Sequence, residues 1–199
     1  MRRALAAARS VLGQTWPNPA VGCVIVKDDE VLVQAATARG GRPHAEEQAL
    51  AQAGDAAHGA TVFISLEPCG QRSSGVTSCS DLLAHAGVAR VVIAADNPEA
   101  MSAGRGLAHL QAAGVPVERG FLAEEAEPLY RGFRHKLRTG LPLVEGAEDG
   151  AGFDGPFLLL AGEEPAAALK RLAEAGYTRL WTPLGGPLAA RLSALGLLN

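Results

Sequence analysis

The sequence predicts an α/β protein with three layers (α/β/α), in which helices cover both faces of a mixed five-stranded sheet, followed by a small α/β appendage. Short apolar runs rich in β-branched residues alternate with segments that repeat apolar residues at helical spacing. The first two β-rich runs are separated only by a polar turn, which indicates an antiparallel hairpin. The later runs are separated by predicted helices, which favours parallel pairing and helical layers on both faces.

An amphipathic helix over residues 2–12 opens the chain, because Leu5, Ala8 and Val11 fall on one helical face. The segment Pro17-Asn18-Pro19 ends it, since each proline fixes φ and disfavours the helical conformation in the residue before it. Five strands are predicted at residues 21–27, 31–35, 61–65, 91–95 and 115–118, and further helices at residues 44–53, 80–86, 103–113 and 122–138.

The character of the chain changes near residue 141. Residues 145–155 are rich in glycine, alanine and acidic side chains, a composition typical of a linker. We therefore expect two units, residues 1–142 and residues 143–199. The second unit is predicted to contain strands at residues 157–161 and 177–182 and helices at residues 165–175 and 187–195.

Length and composition indicate a globular protein with its own core, because 48% of the 199 residues are hydrophobic and 20% are charged. The net charge of −3 argues against a large basic surface for nucleic acid. No apolar run approaches the roughly 18 residues that a membrane helix needs. The three cysteines, an odd number at irregular spacing, indicate a reducing compartment. We expect a cytoplasmic protein without nucleic-acid or membrane partners.

Three residues have the chemistry and spacing of zinc ligands. His44 opens a predicted helix, Cys69 follows a β-rich run, and Cys79 lies at the start of the next predicted helix. Imidazole nitrogen and thiolate sulfur are ligands that zinc prefers, and three protein ligands leave the fourth tetrahedral position for water, as in catalytic sites. We therefore predict a catalytic-type Zn²⁺ site, against the alternatives of a degenerate metal site or buried thiols.

Glu46 lies two residues after His44, so its carboxylate can approach the water at the metal without ligating zinc. From there it can accept the water's proton and return it to a ring nitrogen and to departing ammonia. His-x-Glu followed by Pro-Cys and a second cysteine is the signature of zinc nucleobase deaminases, although nine residues rather than two separate the cysteines here. Glu46 is accordingly the predicted catalytic acid and base.

The remaining cysteine, the other histidines and a basic cluster have simpler interpretations. Cys23 lies in an apolar strand and is predicted to be a packing thiol. The basic cluster lies on a predicted helix, where a solvated face is the default interpretation and phosphate or RNA contact is the alternative. The histidines without ligand spacing are His58, His85, His109 and His135, and the cluster comprises Arg131, Arg134, His135, Lys136 and Arg138.

Motifs spread over residues 1–142 point to one family. They are MRRAL at residues 1–5, TWPNPAVG at 15–22, PHAE at 43–46, LEPC at 66–69, AGRGL at 103–107, RGF at 131–133 and RTG at 138–140. Together with the long separation of the two cysteines, they resemble the deaminase domain of the bacterial bifunctional riboflavin-biosynthesis deaminase/reductase family.

This resemblance implies a cytidine-deaminase-like fold and the hydrolytic deamination of a diaminopyrimidinone ribosylamine phosphate, which gives the aminouracil and ammonia. It also implies that Asn18 contacts the pyrimidine and that backbone groups around Ala45 and Glu67 hold the ring against the metal. A side-chain amide suits this task because it donates and accepts at the same time. The alternative for Asn18 is a turn residue between two prolines.

Three segments depart from the family pattern where the family lines its site. The loop between the cysteines, residues 70–78, is one residue longer and lacks the usual histidine. The others are Ala35-Ala36-Thr37 and Asn97-Pro98-Glu99-Ala100. Because the zinc ligands and Glu46 match while these segments do not, the chemistry is better determined than the substrate. A zinc deaminase of another nucleobase or nucleotide and a catalytically silent zinc scaffold remain as alternatives.

The second unit resembles parts of the same family's reductase domain. LPLV at residues 141–144 resembles the entry to that domain, and GGPL at residues 185–188 resembles its end. Fewer than sixty residues follow residue 141, too few for a nicotinamide-binding fold. We therefore expect a truncated reductase remnant without reductase activity or bound NADPH. The remnant is expected to cover the deaminase unit or to form a homo-oligomer interface.

Overall fold

The computed structural model of the protein describes residues 1–70, 77–99 and 103–199, which form two β-sheets with helices packed against them. The first sheet and its helices come from residues 2–139. The helices are α1 (Arg2–Ser10), α2 (Ala45–Ala53), α3 (Cys79–His85), α4 (Arg105–Ala112) and α5 (Ala123–Thr139), and the strands are β1 (Gly22–Lys27), β2 (Glu30–Ala36), β3 (Thr61–Leu66), β4 (Arg90–Ala95) and β5 (Val117–Arg119).

The first sheet is mixed and five-stranded, in the order β2-β1-β3-β4-β5, which confirms the predicted fold class. β1 pairs antiparallel with β2 and with β3, whereas β3, β4 and β5 run parallel. The carboxyl ends of β3 and β4 lie side by side, because Leu66 is in register with Ala95. The segments that follow these two strands therefore leave the sheet at the same edge, where ligands bind in open α/β sheets.

α1 packs closely against β1, and α5 is joined to the sheet by buried hydrogen bonds. A Cβ at Gly22 would lie 1.9 Å from the Ala4 carbonyl oxygen, so glycine there allows α1 to pack directly on β1. The Tyr130 hydroxyl donates to Ser65 Oγ over 2.7 Å, and the Gly22 N–H donates to the same oxygen over 2.9 Å. Burial raises the pKa of Tyr130, so its hydroxyl group keeps the proton that it donates to Ser65. The buried polar atoms therefore remain hydrogen-bonded.

Residues 143–199 form a second, smaller sheet of three parallel strands in the order β6-β8-β7, with a hydrophobic cluster of its own. Both outer strands pair with the central β8. Phe157 and Leu180 are almost completely buried in the cluster, at 1% and 0% exposure. The elements are β6 (Leu143–Ala147), β7 (Gly155–Pro156), α6 (Pro165–Glu174), β8 (Arg179–Pro183) and α7 (Pro187–Ala194).

The predicted linker at residues 145–155 is wrong, because its two ends belong to β6 and β7. Asp154 near its end is also fixed, since its Oδ2 accepts the N–H groups of Thr178 and Arg179 over 2.6 and 2.9 Å. Glycine and acidic residues are depleted in strands, which is why the composition indicated a linker. Here the acidic Glu145 is buried and paired with arginines, so a polar segment takes part in a sheet.

The strand predicted at residues 157–161 is displaced. Pairing along β7 ends at Pro156, and beyond it the Phe157 N–H still donates to the Trp181 carbonyl oxygen over 2.7 Å. The apolar run that predicted a buried strand is largely at the surface, since Leu158 and Leu160 are each 61% exposed. The other predicted helices and strands are present, with ends that shift by at most two residues. Among the helices of the described residues, none combines the length and apolar character needed to cross a membrane.

A reciprocal pair of hydrogen bonds fixes the start of α3. The Asp81 N–H donates to Ser78 Oγ over 3.2 Å, while Asp81 Oδ2 accepts the N–H and the hydroxyl of Ser78 over 3.2 and 2.6 Å. This capping box satisfies N–H groups that the first helical turn leaves without partners. The hydrogen bond from the Ser78 hydroxyl lowers the pKa of Asp81. Because Cys79 is the first residue of α3, the cap also determines where its side chain lies.

Replacing Ser78 with alanine is expected to lower the free energy of unfolding by about 1 kcal/mol, because the Asp81 N–H loses its acceptor. Chemical denaturation followed by circular dichroism measures the change. The matched control is Ser193→Ala at an exposed position of α7, where alanine should be neutral or slightly stabilising. Equal effects of the two substitutions would contradict the capping role.

Candidate metal centre

Three side chains that are distant in sequence converge at the edge of the first sheet. His44 Nδ1 lies 3.4 Å from Cys79 Sγ and 3.9 Å from Cys69 Sγ. All three potential ligand atoms lie within 4.8 Å of one another, and within residues 1–70, 77–99 and 103–199 this is the only such group of three found. The structure therefore brings together the three residues that the sequence predicts as zinc ligands.

His44 is positioned by the start of α2. It precedes the first residue of that helix, and its own N–H donates to Glu47 Oε2 over 2.7 Å. Gln48, one residue further along α2, donates through Nε2 to the carbonyl oxygens of Ala36 and Pro43. These contacts hold the helix start against the end of β2, so the imidazole is presented by a rigid segment.

The two cysteines are held together by the backbone of α3. Cys69 follows the end of β3, and Cys79 opens α3. The Cys79 N–H donates to Cys69 Sγ over 3.3 Å, and the Ser80 N–H and hydroxyl each donate to the Cys69 carbonyl oxygen over 3.2 Å. A helix start favours negative charge, so both the hydrogen bond and the helix dipole stabilise the thiolate forms that bind zinc.

The donor set fits a tetrahedral zinc ion. With bonds of about 2.0–2.1 Å to nitrogen and about 2.3 Å to sulfur, the ligand atoms of such a site are roughly 3.6 Å (nitrogen to sulfur) and roughly 3.8 Å (sulfur to sulfur) apart. The two nitrogen–sulfur distances in this protein, 3.4 and 3.9 Å, bracket the first value. One imidazole and two thiolates also leave one coordination position for a non-protein ligand, which is the arrangement of catalytic zinc sites.

Glu46 lies beside the same three side chains and is 3% exposed. Burial raises the pKa of its carboxyl group, the charge of neighbouring His44 opposes this shift, and Cys79 contributes a side-chain hydrogen bond. Within the described residues its Oε2 is buried and accepts no hydrogen bond. A buried acceptor without a hydrogen bond lowers the stability of the fold. Its presence next to a metal-ligand cluster therefore indicates a functional group.

The residues predicted to contact a substrate lie around this centre. Asn18 Nδ2 donates to the Gly41 carbonyl oxygen over 3.0 Å, which places the amide next to the segment that leads into His44. Ala45 is the first residue of α2 and is completely buried. Glu67 lies between the end of β3 and Cys69 and is 3% exposed.

The structure also shows two supporting contacts that the sequence analysis did not identify. Glu67 Oε2 accepts the Asn97 N–H over 3.2 Å, which links the segments after β3 and β4. A Cβ at Gly106 would lie 2.0 Å from the Pro68 carbonyl oxygen, so the start of α4 packs directly on the segment that leads into Cys69. In the sequence, the only sign of the second contact was the Gly104-Arg105-Gly106 triplet. Its spacing alone did not predict a contact with Pro68.

The residues given other interpretations have structural contacts of their own. Cys23 is completely buried, as expected of a packing thiol. His109 Nε2 lies 2.8 Å from Asp81 Oδ1, within hydrogen-bonding distance. In the basic cluster, Arg131 and Arg134 form ion pairs with acidic residues, and Lys136 donates to the Ala173 carbonyl oxygen over 2.9 Å. These partners favour the default interpretation, a solvated helix face, over a phosphate or RNA site.

Two of the segments that depart from the family pattern have structural roles. Thr37 is buried, and its Oγ1 accepts the Val21 N–H over 3.0 Å between β1 and β2. Asn97 is buried against Glu67, as described above. Most of the inter-cysteine loop (residues 71–76) and Ala100 lie outside the described residues.

Comparison with known proteins gives a consistent result. The sequence profile of the cytidine and deoxycytidylate deaminase zinc-binding region matches residues 1–95. The riboflavin biosynthesis protein RibD of Escherichia coli is 45% identical over 163 residues, which is 82% of this chain and 44% of that protein. The chloroplastic riboflavin biosynthesis protein PYRD of Arabidopsis thaliana is 38% identical over 144 residues, 72% of this chain and 34% of that protein. The chain thus spans less than half the length of these relatives.

Solved structures agree with the sequence comparison. Form 2 of Acinetobacter baumannii RibD superposes with a TM-score of 0.68 and 41% identity, over 73% of this chain and 41% of that chain. The diaminohydroxyphosphoribosylaminopyrimidine deaminase/5-amino-6-(5-phosphoribosylamino)uracil reductase of Thermotoga maritima gives the same TM-score at 34% identity, over 73% and 42% of the two chains. Residues 1–95 of the chain therefore carry the zinc-binding region of the cytidine and deoxycytidylate deaminase family, and the chain as a whole is similar to RibD and PYRD proteins.

Proposed function

We propose that this protein is a zinc-dependent hydrolase that deaminates the diaminopyrimidinone ribosylamine phosphate of riboflavin biosynthesis. The observation that supports the reaction is the convergence of His44, Cys69 and Cys79 beside the unpartnered Oε2 of Glu46. The observation that supports the substrate is the similarity to RibD proteins, which extends over 82% of the chain in the Escherichia coli relative. The reaction replaces the amino group on a ring carbon by oxygen, consumes water and releases ammonia.

In this mechanism His44, Cys69 and Cys79 hold the zinc ion. Zinc in such a site supplies Lewis acidity, which lowers the pKa of water and provides a nucleophile at neutral pH. Glu46 accepts one proton of the attacking water in a buried environment and delivers it to a ring nitrogen, and it then carries the second proton, from the hydroxyl group added to the ring carbon, to the departing ammonia. The raised pKa of Glu46 suits this task, because a carboxyl group that both takes and gives protons needs a pKa nearer to neutrality.

Three groups are proposed to orient the pyrimidine. The Asn18 amide can donate to and accept from the ring edge, and backbone groups of Ala45 and Glu67 can bond to the amino and carbonyl substituents. Glu67 is suited to this role because Asn97 holds its side chain, which leaves its position fixed between β3 and Cys69. Pre-positioned polar groups of this kind provide orientation without a further loss of conformational entropy.

The proposal also covers the compartment, the substrate class and the assembly of the enzyme. Zinc thiolates and a buried free cysteine are stable in a reducing compartment, which supports a cytoplasmic location. A small-molecule pyrimidine nucleotide is the proposed partner of the site, and a homo-oligomer is the proposed assembly, which sedimentation velocity tests directly. The interpretation of residues 143–199 as a reductase remnant also stays a prediction.

Ammonia release from a panel of substrates tests the proposed reaction. We expect turnover of the diaminopyrimidinone ribosylamine phosphate and none of cytidine, deoxycytidylate or adenosine. Release from one of the others would instead support a deaminase of another nucleobase or nucleotide. Release from none would support a silent zinc scaffold. Added NADPH is expected to remain unoxidised in the same assays, and its oxidation would contradict the reductase-remnant interpretation.

Glu46→Gln is expected to reduce kcat by at least about 10²-fold, the lower range for loss of a general acid–base group, because the amide cannot shuttle the proton. The zinc content, measured by atomic emission, should stay at the wild-type level. Glu30→Gln, at an exposed position on β2, is the matched control and should retain full activity. Activity of Glu46→Gln comparable to wild type would exclude the assigned role.

Cys69→Ala is expected to abolish both zinc binding and turnover, because only two of the three protein ligands remain. Cys23→Ala is the matched control, since Cys23 is buried in the core and lies outside the ligand cluster. It should keep the zinc and the activity, with at most a modest loss of stability. Equal zinc content in the two variants, measured after dialysis against a weak chelator, would rule out Cys69 as a ligand.

A further inference from the structure

The loop that contains Asn18 is held on one side by the first unit itself. The Asn18 N–H donates to the Thr15 carbonyl oxygen over 3.1 Å, and the Thr15 hydroxyl donates to the Asn18 carbonyl oxygen over 3.0 Å. The Asn18 side chain in turn donates to Gly41. These bonds define the shape of the loop, but they leave its outer surface, formed by Trp16 and Pro17, to be covered by something else.

Residues 176–177, between α6 and β8, contact that outer surface. The rings of Trp16 and Tyr177 stack, with centroids 4.3 Å apart and planes 21° from parallel. Gly176 lies against Trp16 and Pro17, since a Cβ there would be 3.3 Å from Pro17 Cβ and 3.3 Å from Trp16 Cε3. Its φ of +101° is in the left-handed region, which favours glycine, and a Cβ there would also crowd Pro17 and Trp16.

Tyr177 is itself firmly positioned. Its N–H donates to the Leu172 carbonyl oxygen over 3.1 Å, at the end of α6. The next residue, Thr178, is bound through its N–H and hydroxyl to Asp154 Oδ2 over 2.6 and 2.8 Å, just before β8. The stacking ring therefore projects from a junction between a helix and a strand that is fixed on both sides.

The second sheet has other attachments to the first unit, which do not involve this stack. Glu145 on β6 bridges Arg131 of α5 and Arg179 of β8, with nitrogen–oxygen distances of 2.9 and 2.5 Å. Lys136 of α5 donates to Ala173 at the end of α6. Because these contacts are separate from Trp16, loss of the Tyr177 ring should loosen the Asn18 loop without detaching the second sheet.

We propose that Tyr177 is a positioning residue for substrate binding, which acts through Trp16 to hold the loop that presents Asn18. The inference rests on the proposed function, in which Asn18 contacts the pyrimidine. It gives residues 176–177 a role in the deaminase reaction itself. The contact spans 161 positions of the sequence, from Trp16 to Tyr177.

The test is steady-state ammonia release by full-length Tyr177→Ala, with the diaminopyrimidinone ribosylamine phosphate as substrate. We expect KM to rise roughly 2- to 10-fold, the equivalent of one aromatic pair, while kcat changes by less than about 2-fold. Zinc content should be unchanged, because the stack is formed by Trp16 and Tyr177, neither of which is a proposed zinc ligand. Tyr177→Phe retains the stacking ring and should restore the wild-type KM.

Arg191→Ala is the matched control within the second unit, because it removes an exposed ion pair with Glu164 far along α7 and should leave KM unchanged. A wild-type KM in Tyr177→Ala would overturn the positioning role and leave the proposed function intact. A parallel fall in kcat and zinc content would also overturn it, since that pattern marks a general loss of structure. Absence of ammonia release by the wild-type chain would overturn the proposed function and this inference with it.

Discussion

The convergence of His44 and Cys79, at the starts of two helices, with Cys69 after β3 is the constraint on which the site depends. α2 begins beside His44 and α3 begins at Cys79, and both helix starts face the segment that follows β3. The start of α3 directs the Cys79 N–H and positive dipole charge towards Cys69 Sγ, so the same geometry that positions this ligand stabilises its anionic form. Two thiolates this close to each other would repel without a cation, and a bound zinc ion offsets that cost.

The parallel part of the sheet determines what surrounds this centre. Because β3 and β4 run in the same direction, Glu67 and Asn97 leave the sheet next to each other and form a hydrogen bond across the two segments. α4 then approaches so closely that Gly106 has no room for a side chain against Pro68. Backbone packing, more than side-chain chemistry, therefore sets the position of the segment that leads into Cys69.

The second sheet is more than an addition at the end of the chain. It contacts α5 through the Arg131–Glu145–Arg179 bridge and covers the outer surface of the Asn18 loop through Tyr177. Glu145 is 8% exposed, and its two arginine partners offset the cost of burying its charge. The ionic contact and the aromatic contact thus join the second sheet to the first unit at different places.

The sequence by itself determined the fold class, most element positions and the zinc ligands, because periodicity and ligand spacing are local properties of the chain. It could not determine β6 and β7, because two short strands with glycine and acidic residues become strands only by pairing with β8 far along the chain. The contacts of Gly106 with Pro68 and of Trp16 with Tyr177 were equally invisible. Only the tertiary structure decided them, because close approach and stacking depend on which distant segments the sheet brings together.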